Sequence, residues 1–167
     1  MVSPPRLALV EEFARRDRLL EVGVGDRPGV ARSLAERGRD VVAIDVAVGE
    51  RTRAAADGTE AATVDGSLRV VEADVLALAE AAGGETGTEP DEVTGGFDAV
   101  YACNLPAELQ RPTLTLAERL DAACLFTTLG FEEPTVPVRR RSLSGATLYV
   151  ARGGPAGSGS SGVDRGR

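Results

Sequence analysis

Between Arg18 and Val46 the chain reads strand, glycine turn, helix, strand, and this order constrains the fold more than any other feature. Arg18 to Val24 (RLLEVGV) is a short, mostly apolar run broken by glycine, the pattern of a buried strand. Gly29 to Arg37 then puts Val30, Ala31, Leu34 and Ala35 on one helical face, with Gly38 as a stop. Val41 to Val46 (VVAIDV) is a second β-branched run. Parallel strands need a crossover rather than a hairpin, so the segment reads as the βαβ unit of a parallel sheet.

The rest of the chain extends this alternation. Arg6 to Arg16 carries Leu7, Val10, Phe13 and Ala14 at helical spacing ahead of the first strand. Gly49 to Gly66 is polar and small and reads as a connection. Strands are expected at Leu68–Glu72, Ala99–Ala102 and Ala122–Thr127. Helices are expected at Leu76–Ala82 and Pro106–Leu120, the latter with a break or fresh start at Pro112. Gly83 to Gly96 reads as loop. Val136–Arg141 and Ala146–Ala151, joined around Ser144-Gly145, form an expected terminal hairpin. The fold class is therefore α/β, a Rossmann-like doubly wound, mostly parallel sheet with a C-terminal antiparallel hairpin. Residues 1–152 are read as its one domain. Residues 153–167 (GGPAGSGSSGVDRGR) are read as a disordered Gly/Ser-rich tail.

Composition limits the chemistry. The 167 residues include no histidine, no lysine and no tryptophan, so all 19 basic residues are arginine. Nucleophile–imidazole pairs, histidine metal ligands, Schiff bases and a Walker lysine are excluded. Two cysteines, Cys103 and Cys124, make neither a zinc site nor a disulfide framework, and read as small core residues on neighbouring strands. What remains is carboxylates, arginine, hydroxyls, backbone amides, or a cofactor bringing its own reactivity. Apolar residues are 43 % but aromatics only 4 %, so the core is expected to be Val, Leu and Ala. No apolar run approaches the roughly 20 residues of a membrane span. No secretory signal is evident in the first residues, and a cytoplasmic protein is expected. The net charge of -7 with arginine in place of lysine reads as adaptation to multimolar salt, or as a solvated surface from a GC-rich genome. A net negative surface disfavours nucleic acid as a partner at ordinary salt.

The informative constellation is Glu21-Val22-Gly23-Val24-Gly25-Asp26-Arg27-Pro28-Gly29. Glycines at the end of a first strand let backbone approach a ligand at the mouth of the next helix. Twenty residues beyond Gly25, Asp45 ends the second strand, where a carboxylate can accept both hydroxyls of a ribose. A tight turn beside a surface aspartate is the plainer reading. A dinucleotide site would want glycine at position 28; Pro28 removes one amide donor from the helix mouth. S-adenosylmethionine has no phosphate and loses less, so it is the expected small-molecule partner, with NAD(P) as the alternative.

E-x-G-x-G resembles the opening motif of class I methyltransferases. The resemblance implies that Gly23 and Gly25 lie beneath the methionine portion of the cofactor, Glu21 near its amino group and Asp45 on its ribose. It also implies that Asp74, just after the third strand, contacts the adenine amino group; a helix N-cap is the other reading of Asp74. Arg27, where many members have a third glycine, is read either as pairing with the cofactor carboxylate or as solvated. Cys103-Asn104-Leu105-Pro106 loosely resembles the (D/N)-P-P-(Y/F) of amino-methylating enzymes, but lacks its stacking aromatic. Asn104 is therefore read chiefly as a loop or capping residue, with an acceptor role as the alternative. Arg139-Arg140-Arg141 reads as a charged sheet edge, with RNA or anion contact as the alternative.

LLEVGVGDRPGVARSLAERGRDVVAIDV, followed by AVYACNLPAELQRPTLTLAERLDAACLFTTLG, resembles an archaeal family known as uncharacterised protein family 0146. Its members are short Rossmann-like proteins similar to methyltransferases. The resemblance covers most of residues 6–151, with 50–66 and 77–96 read as local insertions. Together with the E-x-G-x-G resemblance it leads us to expect a protein that binds S-adenosylmethionine, with methyl transfer to an unassigned acceptor as the further expectation. A non-catalytic nucleotide- or partner-binding module is the alternative, and an NAD(P)-binding oxidoreductase a third.

Overall fold

The computed structural model describes residues 3–61, 65–81, 93, 96–130 and 132–154. Helix α1 (Pro4–Phe13) leads into β1 (Arg18–Val22), α2 (Gly29–Glu36) and β2 (Asp40–Asp45), the expected βαβ unit. Then follow α3 (Glu50–Ala61), β3 (Ser67–Glu72), α4 (Val75–Glu80), β4 (Ala99–Ala102), α5 (Ala107–Arg119) and β5 (Ala123–Phe126). β6 (Arg139–Leu143) and β7 (Ala146–Arg152) close the sheet. The strand order is β3-β2-β1-β4-β5-β7-β6. The first five strands are parallel, and β7 runs antiparallel to both β5 and β6. The mostly parallel sheet with its C-terminal hairpin is thus as the sequence led us to expect.

Side chains alternate across the pleat and feed two cores. Leu20, Val42, Ile44, Val100, Cys124 and Phe126 face α4 and α5, meeting Leu78, Leu114 and Ala117. Leu19, Val41, Ala43, Tyr101 and Leu125 face α1 and α2, meeting Val10, Phe13, Val30 and Leu34. Each fully buried Leu, Val or Phe contributes roughly 1.5–3 kcal/mol of transfer free energy, so these two layers hold the sheet between its helices. Glu21 belongs by parity to the α1/α2 face, which places a carboxylate in an apolar layer.

Two expectations change. Residues 50–61 form α3 rather than a polar connection. Its apolar surface is small, Ala55 and Ala56 being only partly buried, and Gly58 interrupts the pattern; tertiary contacts described below hold it instead. α5 also runs unbroken through Pro112. The missing proline N–H would have served the carbonyl of Glu108, an exposed residue whose carbonyl water can satisfy. β1 ends two residues earlier than its apolar run, at Val22, because Gly23 turns into the left-handed region at φ +83°. Most of the expected 83–96 loop, and the tail beyond Gly154, lie outside the described residues.

Candidate functional site

The loop after β1 owes its shape to two glycines. Gly23 (φ +83°) and Gly25 (φ +52°) both adopt left-handed backbone that side chains with a Cβ resist. Gly25 is then held through both its N–H and its carbonyl. Its N–H donates to Asp45 Oδ2 at 2.7 Å. Its carbonyl accepts from Thr52 Oγ1 at 2.8 Å and from the Gly49 N–H at 3.1 Å. Next to it, Asp26 Oδ1 accepts from the N–H groups of Arg51 (2.7 Å) and Thr52 (3.4 Å), capping the first turn of α3. A side chain at Gly49 would collide with Asp26, so glycine there lets the cap close. These bonds explain why a stretch with little apolar surface is helical.

Above the C-terminal ends of β1 and β4 opens a cleft of about 1000 Å³, lined among others by Arg6, Glu21, Gly23, Asn104, Thr127 and Leu129. Space above Gly23 is open: a Cβ there would meet nothing within 4 Å. Glu21 lies at the floor, 2 % exposed. Its one hydrogen bond among the described residues comes from the Tyr101 hydroxyl, which donates to Oε1 at 2.7 Å. Tyr101 is the direct register partner of Glu21 on β4 and packs against Phe13 with ring centroids 4.4 Å apart. No cation pairs with Glu21 among the described residues. Burial therefore pushes its carboxyl up to about 7, with the Tyr101 bond working downward and the Asp45 charge adding to the rise. Burial likewise pushes Tyr101 well above the ordinary phenol range.

Of the residues singled out in the sequence, Glu21, Gly23 and Gly25 come together in the cleft lining. Asp45 anchors that lining through Gly25, and its second oxygen makes a longer bond of 3.4 Å to the Ala47 N–H. Asp74 does not line the cleft; it is the N-cap of α4, accepting from the Leu76 N–H at 2.9 Å. Arg27 lines the cleft and is exposed. Pro28 is the N-cap of α2 and offers no side-chain bond there. Asn104 follows β4 in a left-handed conformation (φ 58°), and its N–H donates to Thr127 Oγ1 at 2.8 Å. Cys124 is buried core, whereas Cys103 is half-buried at the cleft. Burial and the charge of Glu21 push the Cys103 thiol far up, which keeps it protonated and unreactive. Arg139, Arg140 and Arg141 lie exposed on the edge strand β6. There Arg140 pairs with Glu133 at 2.9 Å and Arg141 with the buried Glu12 at 2.6 Å.

Four contributors were not singled out in the sequence. Tyr101 became visible only through strand register, Asp26 and Thr52 only through the packing of α3, and Arg6 only through the placement of α1. A tyrosine inside an otherwise small apolar strand was the one available signal.

Comparison with known proteins agrees with this architecture. The family model described as Uncharacterised protein family (UPF0146) matches residues 1–79. UPF0146 proteins from two strains of Halobacterium salinarum are 40 % identical over 154 residues, covering 91 % of this chain and 98 % of the relative. Among solved structures, an RNA methyltransferase from Salinibacter ruber in complex with S-adenosyl-L-homocysteine is similar, with 20 % identity and a TM-score of 0.56. That match covers 91 % of this chain and 94 % of the other. The S-adenosylmethionine-dependent methyltransferase SibL, in its apo form, is similar with 17 % identity and a TM-score of 0.54, over 88 % of this chain. The chain spans about half of SibL, 54 % of its length. At such identities the likeness establishes the fold alone, a methyltransferase-like Rossmann fold. Identity sustained along nearly the whole chain establishes descent: the protein belongs to the uncharacterised family UPF0146, with homologues in halophilic archaea.

Proposed function

We propose that the cleft over β1 and β4 binds S-adenosylmethionine and that the protein presents this cofactor for methyl transfer to an acceptor of unassigned identity. One observation carries the reading. A carboxylate, Glu21, is buried at the floor of an open cleft with a single neutral hydrogen-bond partner. A charge so desolvated is costly unless a cation meets it, and an ammonium group on a ligand is such a cation. The neighbouring residues suit the rest of the molecule. Asp45 keeps lone pairs beyond those used by Gly25 and Ala47, enough to accept from ribose hydroxyls. Gly23 leaves the floor bare for the methionine chain.

When bound, the cofactor supplies an electrophilic methyl on a sulfonium. The protein's own part is orientation: Glu21 and Asp45 fix the two ends of the ligand, and the Asn104–Thr127–Leu129 rim leaves the approach for an acceptor. In-line transfer needs alignment more than a dedicated base, which suits a chain without histidine or lysine.

Equilibrium dialysis in multimolar salt with labelled S-adenosylmethionine, NAD and NADP tests the reading. Saturable binding of the first, weakened at least tenfold by Asp45→Ala, is expected. No saturable binding of any ligand would sink it, and preference for NAD or NADP would move the protein to the oxidoreductases. A methylated product in cell extract separates an enzyme from a bare binder.

A further inference from the structure

The two edges of the sheet are built differently. β6 presents Arg139, Arg140 and Arg141, a run of charge that discourages pairing with another strand. β3, at the opposite edge, reads Ser67-Leu68-Arg69-Val70-Val71-Glu72, with two valines at its centre and neither a proline nor a break in its register with β2. The Ser67 and Ala73 N–H groups donate to the Arg39 and Asp45 carbonyls on the β2 side, at 3.1 and 2.9 Å. Backbone direction alternates along a parallel strand, so Leu68, Val70 and Glu72 turn their N–H and C=O groups outward. Among the described residues no strand pairs with that edge.

A cavity of about 1000 Å³ wraps the edge, lined among others by Arg53, Ala56, Asp57 and Glu60 of α3 and by Leu68 and Val70 of β3. Spaced three and four apart, the four helix residues form one column overlooking the strand. The Arg53–Glu72 ion pair fixes the height of that column. Val70 lies about 6.6 Å below Glu72 at roughly 3.3 Å per strand residue. α3 runs against the strands and covers the same drop in about four residues. Val70 therefore stands at about the level of Asp57.

We propose that β3 pairs antiparallel with β3 of a second copy of this chain, about a two-fold axis through Val70 that joins the two sheets. Val70 then exchanges both backbone bonds with its own counterpart, and Leu68 exchanges them with Glu72 of the other copy, so every outward group finds a partner. The same axis inverts heights on α3. It sets Arg53 of each copy beside Glu60 of the other, opposite charges around the small Ala56. Asp57 meets its counterpart near the axis; both carboxylates are exposed, and multimolar salt screens their repulsion beyond roughly 3 Å. The basic end of the column meets the acidic end only in an antiparallel copy of itself, which is what selects this partner. The pairing is independent of any ligand in the cleft.

Sedimentation equilibrium of the full chain in multimolar potassium chloride tests the proposal, with circular dichroism confirming the fold of each variant. The unaltered chain should dimerise within the micromolar range. Glu60→Arg and Arg53→Glu should each weaken the dimer at least tenfold, and the double variant, which restores the opposite charges in exchanged positions, should return to within threefold of the parent. Hydrogen exchange of the Val70 amide should slow as the chain dimerises, since that N–H has no partner in the single copy. A chain that stays monomeric throughout would overturn the proposal. So would a dimer indifferent to both single reversals, a double variant no tighter than the singles, or a Val70 amide that exchanges equally fast at all concentrations.

Discussion

Glu21 and Tyr101 sit opposite one another on neighbouring parallel strands, and the Tyr101 hydroxyl donates to the Glu21 carboxylate at 2.7 Å inside an apolar layer. The pair is buried beneath α1, with Phe13 against the tyrosine ring. Tyrosine contributes a neutral donor here, so the carboxylate is oriented without being neutralised.

Tyr101→Phe removes that donor and leaves the packing nearly unchanged. A buried carboxylate losing its hydrogen bond costs about 1–3 kcal/mol, read as a fall in the urea midpoint at pH 8. Because the bond works downward on the Glu21 pKa, its loss moves the titration of Glu21 above about 7. Binding of S-adenosylmethionine, followed against pH, should then reach its plateau at a higher pH than in the unaltered protein. An unmoved profile would show that Tyr101 does not govern Glu21.

Glu21 itself makes stability depend on pH. In the unfolded chain its carboxyl titrates near 4.5, in the folded protein at about 7, so the native state holds the extra proton between these values. Stability from this group is complete below about 4.5 and is lost as pH rises through about 7. Over that range the loss is up to about 3 kcal/mol. Glu21→Gln keeps an acceptor for Tyr101 and cannot ionise, so it should exceed the parent in stability at pH 8 by more than at pH 5. Urea unfolding followed by circular dichroism at the two pH values decides this, and an equal difference at both contradicts it.

Asp26→Ala leaves the first N–H groups of α3 without an acceptor. Caps of this kind are worth about 0.5–2 kcal/mol, and here the loss also loosens the contact between α3 and the glycine loop. Hydrogen exchange at Arg51 and Thr52 should accelerate at least tenfold while amides of β1 and β2 stay protected. Uniform acceleration throughout the sheet would mean that the cap has no local role.

Glu12 is the hub of α1 and the β6 edge. It is only 7 % exposed; its carboxylate accepts from Arg15 and Arg141 and forms an ion pair at 3.6 Å with Arg16, whose Nη1 also donates to the Glu12 carbonyl. Desolvation by burial already lowers the pKa of Arg16, and the Glu12 charge offsets part of that. Glu12→Gln leaves three guanidinium groups clustered around a neutral amide and should cost about 1–3 kcal/mol. Thermal melts should show the deficit shrinking as salt rises, because two of the three arginines are largely exposed; a deficit independent of salt would rule out repulsion as its cause.

What the sequence made legible was whatever a local pattern can encode. The run from Arg18 to Val46 announced its strands by β-branched composition and its turn by glycine, and the terminal hairpin by the break at Ser144-Gly145. Glu21, Gly23, Gly25 and Asp45 were recognisable together because consecutive strands of one βαβ unit deliver them to the same sheet end. α3 was not legible, because its cap is supplied by Asp26, 25 positions upstream of Arg51. Tyr101 stayed hidden because its meaning depends on pairing with Glu21, 80 positions away. Arg6 stayed hidden because helix packing, rather than sequence spacing, sets it against Gly29.

The double tether of Gly25, amide to Asp45 and carbonyl to Thr52, has a consequence for how a ligand would arrive. Gly25, the turning point of the loop, is thus fixed by folding before any ligand arrives. Association should therefore be limited by diffusion and desolvation rather than by a closing step. Rate constants that rise linearly with ligand concentration, without saturation, are the kinetic mark of such a rigid mouth.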